Sequence, residues 1–227
     1  EKFDAPPVTD HAPPVAAEPH PDEAVRAKSS FARSPGSPGS SGSPGAVTVT
    51  DLGLTAVDLS GVTASGAKTL QITKSLTLAD GTDLGDFTVT VASGQTLQLT
   101  AAQTAGTDIG GAGNVTVTGL AADTDLSDVD PAGTLMARVA ASIDISANPI
   151  LGTVEAFEVA SGQTLTLAAA QADGTTISGA GNVTVKGLSA TTDLSDLAAT
   201  GTVIATVTAN ADITANDTLG VVDEFQV

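Results

Sequence analysis

The sequence predicts an all-β chain: tandem 68-residue repeats forming a β-solenoid or a trimeric β-prism shaft, preceded by an extended Pro-rich arm. Three observations carry this. The segment from Val91 recurs from Val159, and 42 of the 68 aligned pairs are identical without a gap. Within each copy Val, Leu, Ile and Thr alternate with period two, as in Leu97-Gln-Leu99 and Val183-Thr-Val185, which is strand chemistry. Between the alternating runs lie Gly, Asn and Pro, which accept the backbone angles of tight turns.

The elements follow in order. Residues 1–45 hold nine of the eleven prolines and both histidines, with a net charge of −2 against −18 for the whole chain. Residues 1–33 read as a Pro-rich anchor arm, because proline removes backbone donors and disfavours helix at the residue before it. Phe3, Val8 and Phe31 are its candidate apolar pegs, and residues 22–33 fit a short helix capped by Asp22. A flexible tail is the other reading of this arm.

Residues 34–45 place Gly36, Gly39, Gly42 and Gly45 at a strict period of three. Three chains can wind about one axis only where every third residue lacks a side chain, so this stub is a candidate trimerising segment. A Gly/Ser/Pro linker is the alternative.

Residues 46–90 read as a degenerate partial repeat, with Val47-Thr-Val-Thr50 matching Val115-Thr-Val-Thr118. Residues 91–158 and 159–227 are the two full repeats. A finer motif, two apolar residues separated by five mostly small or polar ones, starts at Val91, Ile109, Val129 and Ile145. It returns at the aligned positions of the next copy, Val159, Ile177, Leu197 and Ile213. Each full copy thus divides into four units, which makes a unit a quarter of the repeat on average. Single units cannot close a core, so stacking must bury each apolar row against the next. Phe157 and Phe225, at aligned positions, are expected in one repeated environment as an aromatic rung, with Phe87 near the same phase. An intertwined β-helix or a tandem Greek-key sandwich also satisfies the pattern. Val227 aligns with Val159, where a third copy would begin, so the chain reads as part of a longer array; its first residue is Glu rather than Met.

Composition narrows function. Without Cys there is no disulfide, thiolate metal site or cysteine nucleophile. A net charge of −18 argues against nucleic acid and against anionic membrane surfaces, and no apolar run is long enough for a membrane helix. His11 and His20 lie in the arm, away from the repeats, so the bases of nucleophilic catalysis are missing and the chain reads as non-enzymatic. A paired-carboxylate sugar-cleaving site remains formally open. Asp123, Asp125, Asp128 and Asp130 form an acidic loop, a weak Ca²⁺ candidate beside the reading of a solvated acidic face. No other cofactor is suggested. Gly110–Asn114 (GGAGN) leads into a strand, which makes a nucleotide loop a poor reading.

The string ASGQTLTLAAAQADGTTISGAGNVTVKGL (160–188) resembles the repeats of very long extracellular proteins of marine bacteria and the shafts of some bacteriophage fibres. A Pro-rich arm, a Gly-X-Y stub and a β-rich shaft, in that order, resemble trimeric phage head or tail fibres. The resemblance implies a homotrimer in a virion, held to other virion proteins through residues 1–33 and meeting a host-surface receptor at its far end. The rival expectation is a secreted bacterial surface adhesin or surface-layer-like matrix protein, extracellular and monomeric.

Overall fold

The computed structural model describes residues 45–53, 56–207 and 211–227; the anchor arm and the stub as far as residue 44 lie outside the described residues. The chain winds as an all-β parallel solenoid of about nine turns. Its first half runs β1 (Val47–Thr50), β2 (Lys68–Ile72), β3 (Leu76–Thr77), β4 (Thr88–Val91), β5 (Thr96–Thr100), the one-turn helix α1 (Ala101–Thr104), β6 (Ile109–Gly111), β7 (Asn114–Thr118), β8 (Val129–Pro131) and β9 (Leu135–Val139). The second half runs β10 (Ile143–Asp144), β11 (Ala156–Val159), β12 (Thr164–Ala168), the helix α2 (Ala169–Ala172), β13 (Thr176–Gly179), β14 (Asn182–Leu188), β15 (Leu197–Ala199), β16 (Val203–Val207), a 3-10 turn Asp217–Leu219 and β17 (Glu224–Gln226).

Three sheets wall the coil. The first is β1-β2-β4-β6-β8, the second β3-β5-β7-β9-β11-β13-β15, and the third β10-β12-β14-β16-β17. Every ladder is parallel, with Val89 opposite Ile109, Ile109 opposite Val129 and Phe157 opposite Ile177, so one coil takes about twenty residues. Parallel pairing throughout replaces the Greek-key alternative. The remaining wall is turn-rich and carries α1, α2 and the Asp-containing loops. At roughly 4.8 Å between neighbouring strands, nine coils make a shaft of about 40 Å.

The coil length corrects the expectation of four equivalent units per copy. The motifs beginning at Val91, Ile109 and Val129 are strand–corner–strand units, whereas the one at Ile145 lies in the turn-rich wall. Each copy therefore holds three full coils and a remainder. That remainder advances the next copy by one strand and one corner. Strands β4, β6 and β8 stand in the first sheet, while their counterparts β11, β13 and β15 stand in the second. Likewise β5, β7 and β9 are in the second sheet, and β12, β14 and β16 are in the third. The second sheet is the longest because both copies contribute to it.

One apolar core runs from Val49 to Leu219, closed by a single chain. Alternation puts Leu97, Leu99, Val115 and Val117 inside at 0–1% exposure, each such side chain contributing roughly 1.5–3 kcal/mol. Rows stack along the axis: Leu99, Val117, Ala137, Phe157, Ile177 and Leu197 form one ladder of the second sheet. Ala137 below Phe157 leaves room for the ring.

The expected aromatic rung is not formed. Phe157 is buried in the second sheet, whereas Phe225 stands over Ala205 in β17 of the third sheet and is 45% exposed. Phe87 is buried just before β4, the central strand of the first sheet. The one-sheet step separates residues that align in sequence, and Phe225 is open because β17 is the last strand of its sheet among the described residues.

Candidate functional site

The turn-rich wall is where the sequence concentrates acid, and its local chemistry is repetitive. Six of the eight Asp-aliphatic-Ser/Thr/Gly triplets fold on themselves, because the carboxylate accepts the backbone N–H two residues on; Asp51 accepts from Thr73 instead. Asp58, Asp83, Asp125, Asp144, Asp193 and Asp212 do this towards Ser60, Gly85, Ser127, Ser146, Ser195 and Thr214, at 2.8–3.0 Å. The intervening Leu59, Leu84, Leu126, Ile145 and Leu194 point into the core. The acids thus terminate each wall segment while the aliphatic residue anchors it. Hydrogen bonds from the Ser127 backbone and hydroxyl hold Asp125 below the usual carboxylate range, and those from Ser195 do the same for Asp193.

The four candidate Ca²⁺ ligands do not converge. Asp123, Asp125 and Asp128 line an open groove of about 450 Å³ beside α1 and Gly119. Asp125 is engaged by Ser127, and Asp130 projects from β8 on the outer face of the first sheet. Among the described residues, no three His, Asp or Glu side chains come together as a metal site would require. Gly45, the one stub glycine described, is exposed immediately before β1. The GGAGN stretch is a corner: Gly111 has φ +107, and a Cβ there would sit 2.4 Å from the Val91 carbonyl oxygen. Gly179 repeats this one copy later, with φ +106 and 2.2 Å to the Val159 oxygen.

Polar side chains that carry no motif of their own in the sequence lock coil to coil. Gln103 accepts from the Thr100 backbone N–H and donates to the Ala79 oxygen at 2.9 Å. Its counterpart Gln171 accepts from Ala168 and donates to the oxygens of Ile145 and Asn148. Buried Asn148 donates to the Thr124 oxygen at 2.8 Å, and Asn216 donates to Thr192 in the same way. At the corners Asn114 accepts from Thr134 N–H and Asn182 from Thr202 N–H, both at 2.9 Å. Every described buried side-chain polar atom has a partner. The signal that could have found them is the recurrence of Gln, Asn and Thr at aligned positions within otherwise small-residue runs.

Among the described residues, three ion pairs cross the coils: Lys68–Asp86, Arg138–Glu158 and Lys186–Asp144. Arg138 holds Glu158 with two bonds of 2.8 and 3.0 Å between β9 and β11. Lys186 reaches past Ala168 on the intervening strand to Asp144, and its ammonium together with Ser146 brings that carboxylate down to about 2. The partners in the Arg138 and Lys186 pairs are half-exposed, so each of these two contributes about 0.2–1 kcal/mol.

No family model matches the chain, and comparison with curated proteins and with solved structures finds no match. The assignment that stands is architectural: a β-solenoid of about nine turns.

Proposed function

We propose that this chain is a non-enzymatic structural fibre, a trimeric virion appendage anchored by residues 1–33 and serving host-surface attachment. The observation that supports this reading is the continuity of the shaft. One unbroken core and parallel ladders in every coil follow directly on Gly45, where the Gly-X-Y stub ends. Such a column resists bending because each coil is tied to the next by backbone bonds and by the Gln and Asn clamps. Its polar side chains serve turns and clamps rather than one asymmetric constellation of base, nucleophile and donor. A slender rigid spacer carried in three copies multiplies weak contacts at its far end through effective concentration.

The deciding measurement is mass by light scattering for the full chain and for a chain lacking residues 1–45. The fibre reading expects a trimer that falls to a monomer on truncation. A monomer in both forms overturns it and favours the surface-adhesin reading, which shares the solenoid without the stub's role.

A further inference from the structure

The corner that follows β1 is built unlike the later ones. Among the described residues Asp51 is the only non-glycine with a positive φ, +50. L side chains adopt this left-handed region reluctantly, Asp more readily than most. Corners further along that enter it use glycine, as at Gly111 and Gly179. Asp51 enters it with its side chain committed to the next coil. One carboxylate oxygen accepts the Thr73 backbone N–H and the other accepts the Thr73 hydroxyl, both at 2.7 Å. Its own N–H donates to the Gln71 oxygen at 2.9 Å. The triplet Asp51-Leu52-Gly53 has the composition that closes a turn on itself elsewhere, yet here the carboxylate bonds across coils. Partial burial works against the charged form, but the bonds from Thr73 and the neighbouring Lys74 outweigh it. They hold the Asp51 carboxyl below the usual carboxylate range, so it is ionised at neutral pH. Bonds to an ionised acceptor are the stronger kind.

The strand that this corner ends is weakly held by everything else. β1 lies at the edge of the first sheet and has a ladder on one side only. Of its four residues Val49 alone is buried. Few apolar contacts and one-sided pairing put a strand at the low-stability end of a fold, where it opens before the rest. We propose that the Asp51 carboxylate is the latch of this strand: it holds the left-handed corner, and so fastens β1 to the second coil. Without it β1 opens while the shaft beyond β2 stays wound. A closed latch makes one stiff joint of β1 and the shaft. An open one places a hinge between the shaft and the chain that precedes Gly45. The latch needs a single chain and goes beyond the fibre reading without depending on it.

Native-state hydrogen exchange of the full chain at neutral pH tests this, with the amides of β1 compared with those of β5 and β7. Asp51→Gly is the decisive variant, because glycine suits the left-handed corner better than aspartate and only the carboxylate is lost. The β1 amides are expected to exchange faster in Asp51→Gly by about tenfold or more, the loss of hydrogen bonds to a charged group. Those of β5 and β7 are expected to be unchanged. Asp51→Asn tolerates the same backbone and keeps one acceptor, so its β1 amides are expected to fall between the two. Protection of β1 in Asp51→Gly equal to or above that of the unaltered chain would mean that backbone conformation alone sets the corner, and would overturn the latch. Protection lost equally through β5 and β7 would overturn it as well, since the carboxylate would then support the whole shaft. Either failure leaves the mass by light scattering, and with it the fibre reading, untouched.

Discussion

The two full repeats share most of their sequence and occupy different walls. Residues 91–158 build mainly the first and second sheets, adding only the two-residue β10 to the third; residues 159–227 build the second and third. Local chemistry is the same in both copies, down to the Gly111 and Gly179 corners and the Asn148 and Asn216 clamps. Environment is not. Phe157 and Phe225 each stand next to an alanine in their ladder but in different sheets; Phe157 has a strand on both sides, whereas Phe225 lies in β17, the last strand described, and is half open. A sequence repeat therefore specifies corner geometry and strand parity, and the coil length decides what each residue touches.

The sharpest break in the comparison lies at the phenylalanines. Phe157→Ala is expected to cost about 3–5 kcal/mol, as for a large enclosed core ring. Phe225→Ala, at the aligned position, is expected to cost less than about 1.5 kcal/mol, half or less of one large buried side chain. Urea unfolding of both variants measures the difference; equal losses would mean that the two rings share an environment.

The glycines test the opposite limb. Gly111→Ala and Gly179→Ala should each destabilise by about 1–3 kcal/mol from crowding alone, and by nearly equal amounts, since both corners have the same backbone and the same close carbonyl. Next comes Asn148→Ala. It leaves the Thr124 carbonyl and the Ile150 N–H without their partner and should cost about 1–3 kcal/mol in thermal or urea unfolding. Asn216→Ala, less buried, should cost less.

The smallest effect belongs to a feature present in one copy only. Lys186 aligns with Thr118, so Lys186→Thr restores the other copy's residue. Asp144 lies below its ordinary 3.8 at about 2, held there by Lys186 and Ser146. A depressed carboxylate stabilises the fold fully above about pH 4, and that stabilisation fades as the pH falls through about 2. Lys186→Thr should raise the Asp144 midpoint in an NMR titration of its carboxyl carbon. It should also cost about 0.2–1 kcal/mol near neutral pH.

Strand chemistry was legible: the alternation in Leu97-Gln-Leu99 and Val115-Thr-Val117 gives the inward rows directly. The coil length was hidden, because the turn motif at Ile145 looks like the strand–corner motif at Val129 although it folds as a wall segment. The chain path across three walls is a long-range property, and no single copy of the repeat contains it. The acidic loop was visible as acid but not as structure. The Asp-aliphatic-Ser/Thr/Gly triplet occurs eight times, and in six of them, Asp125 among them, it closes a turn.

The fractional remainder of the repeat also governs how duplicated surface features face the surroundings. Had the unit been a whole number of coils, each duplicated side chain would lie in line with its own copy, acid above acid along a single meridian. The extra strand and corner put the aligned strands of successive copies in different sheets, so a mark borne on a strand is shown to a new direction, while the turns of both copies stay on the turn-rich wall. Duplication then lengthens the shaft while handing each strand-borne mark from one sheet to the next.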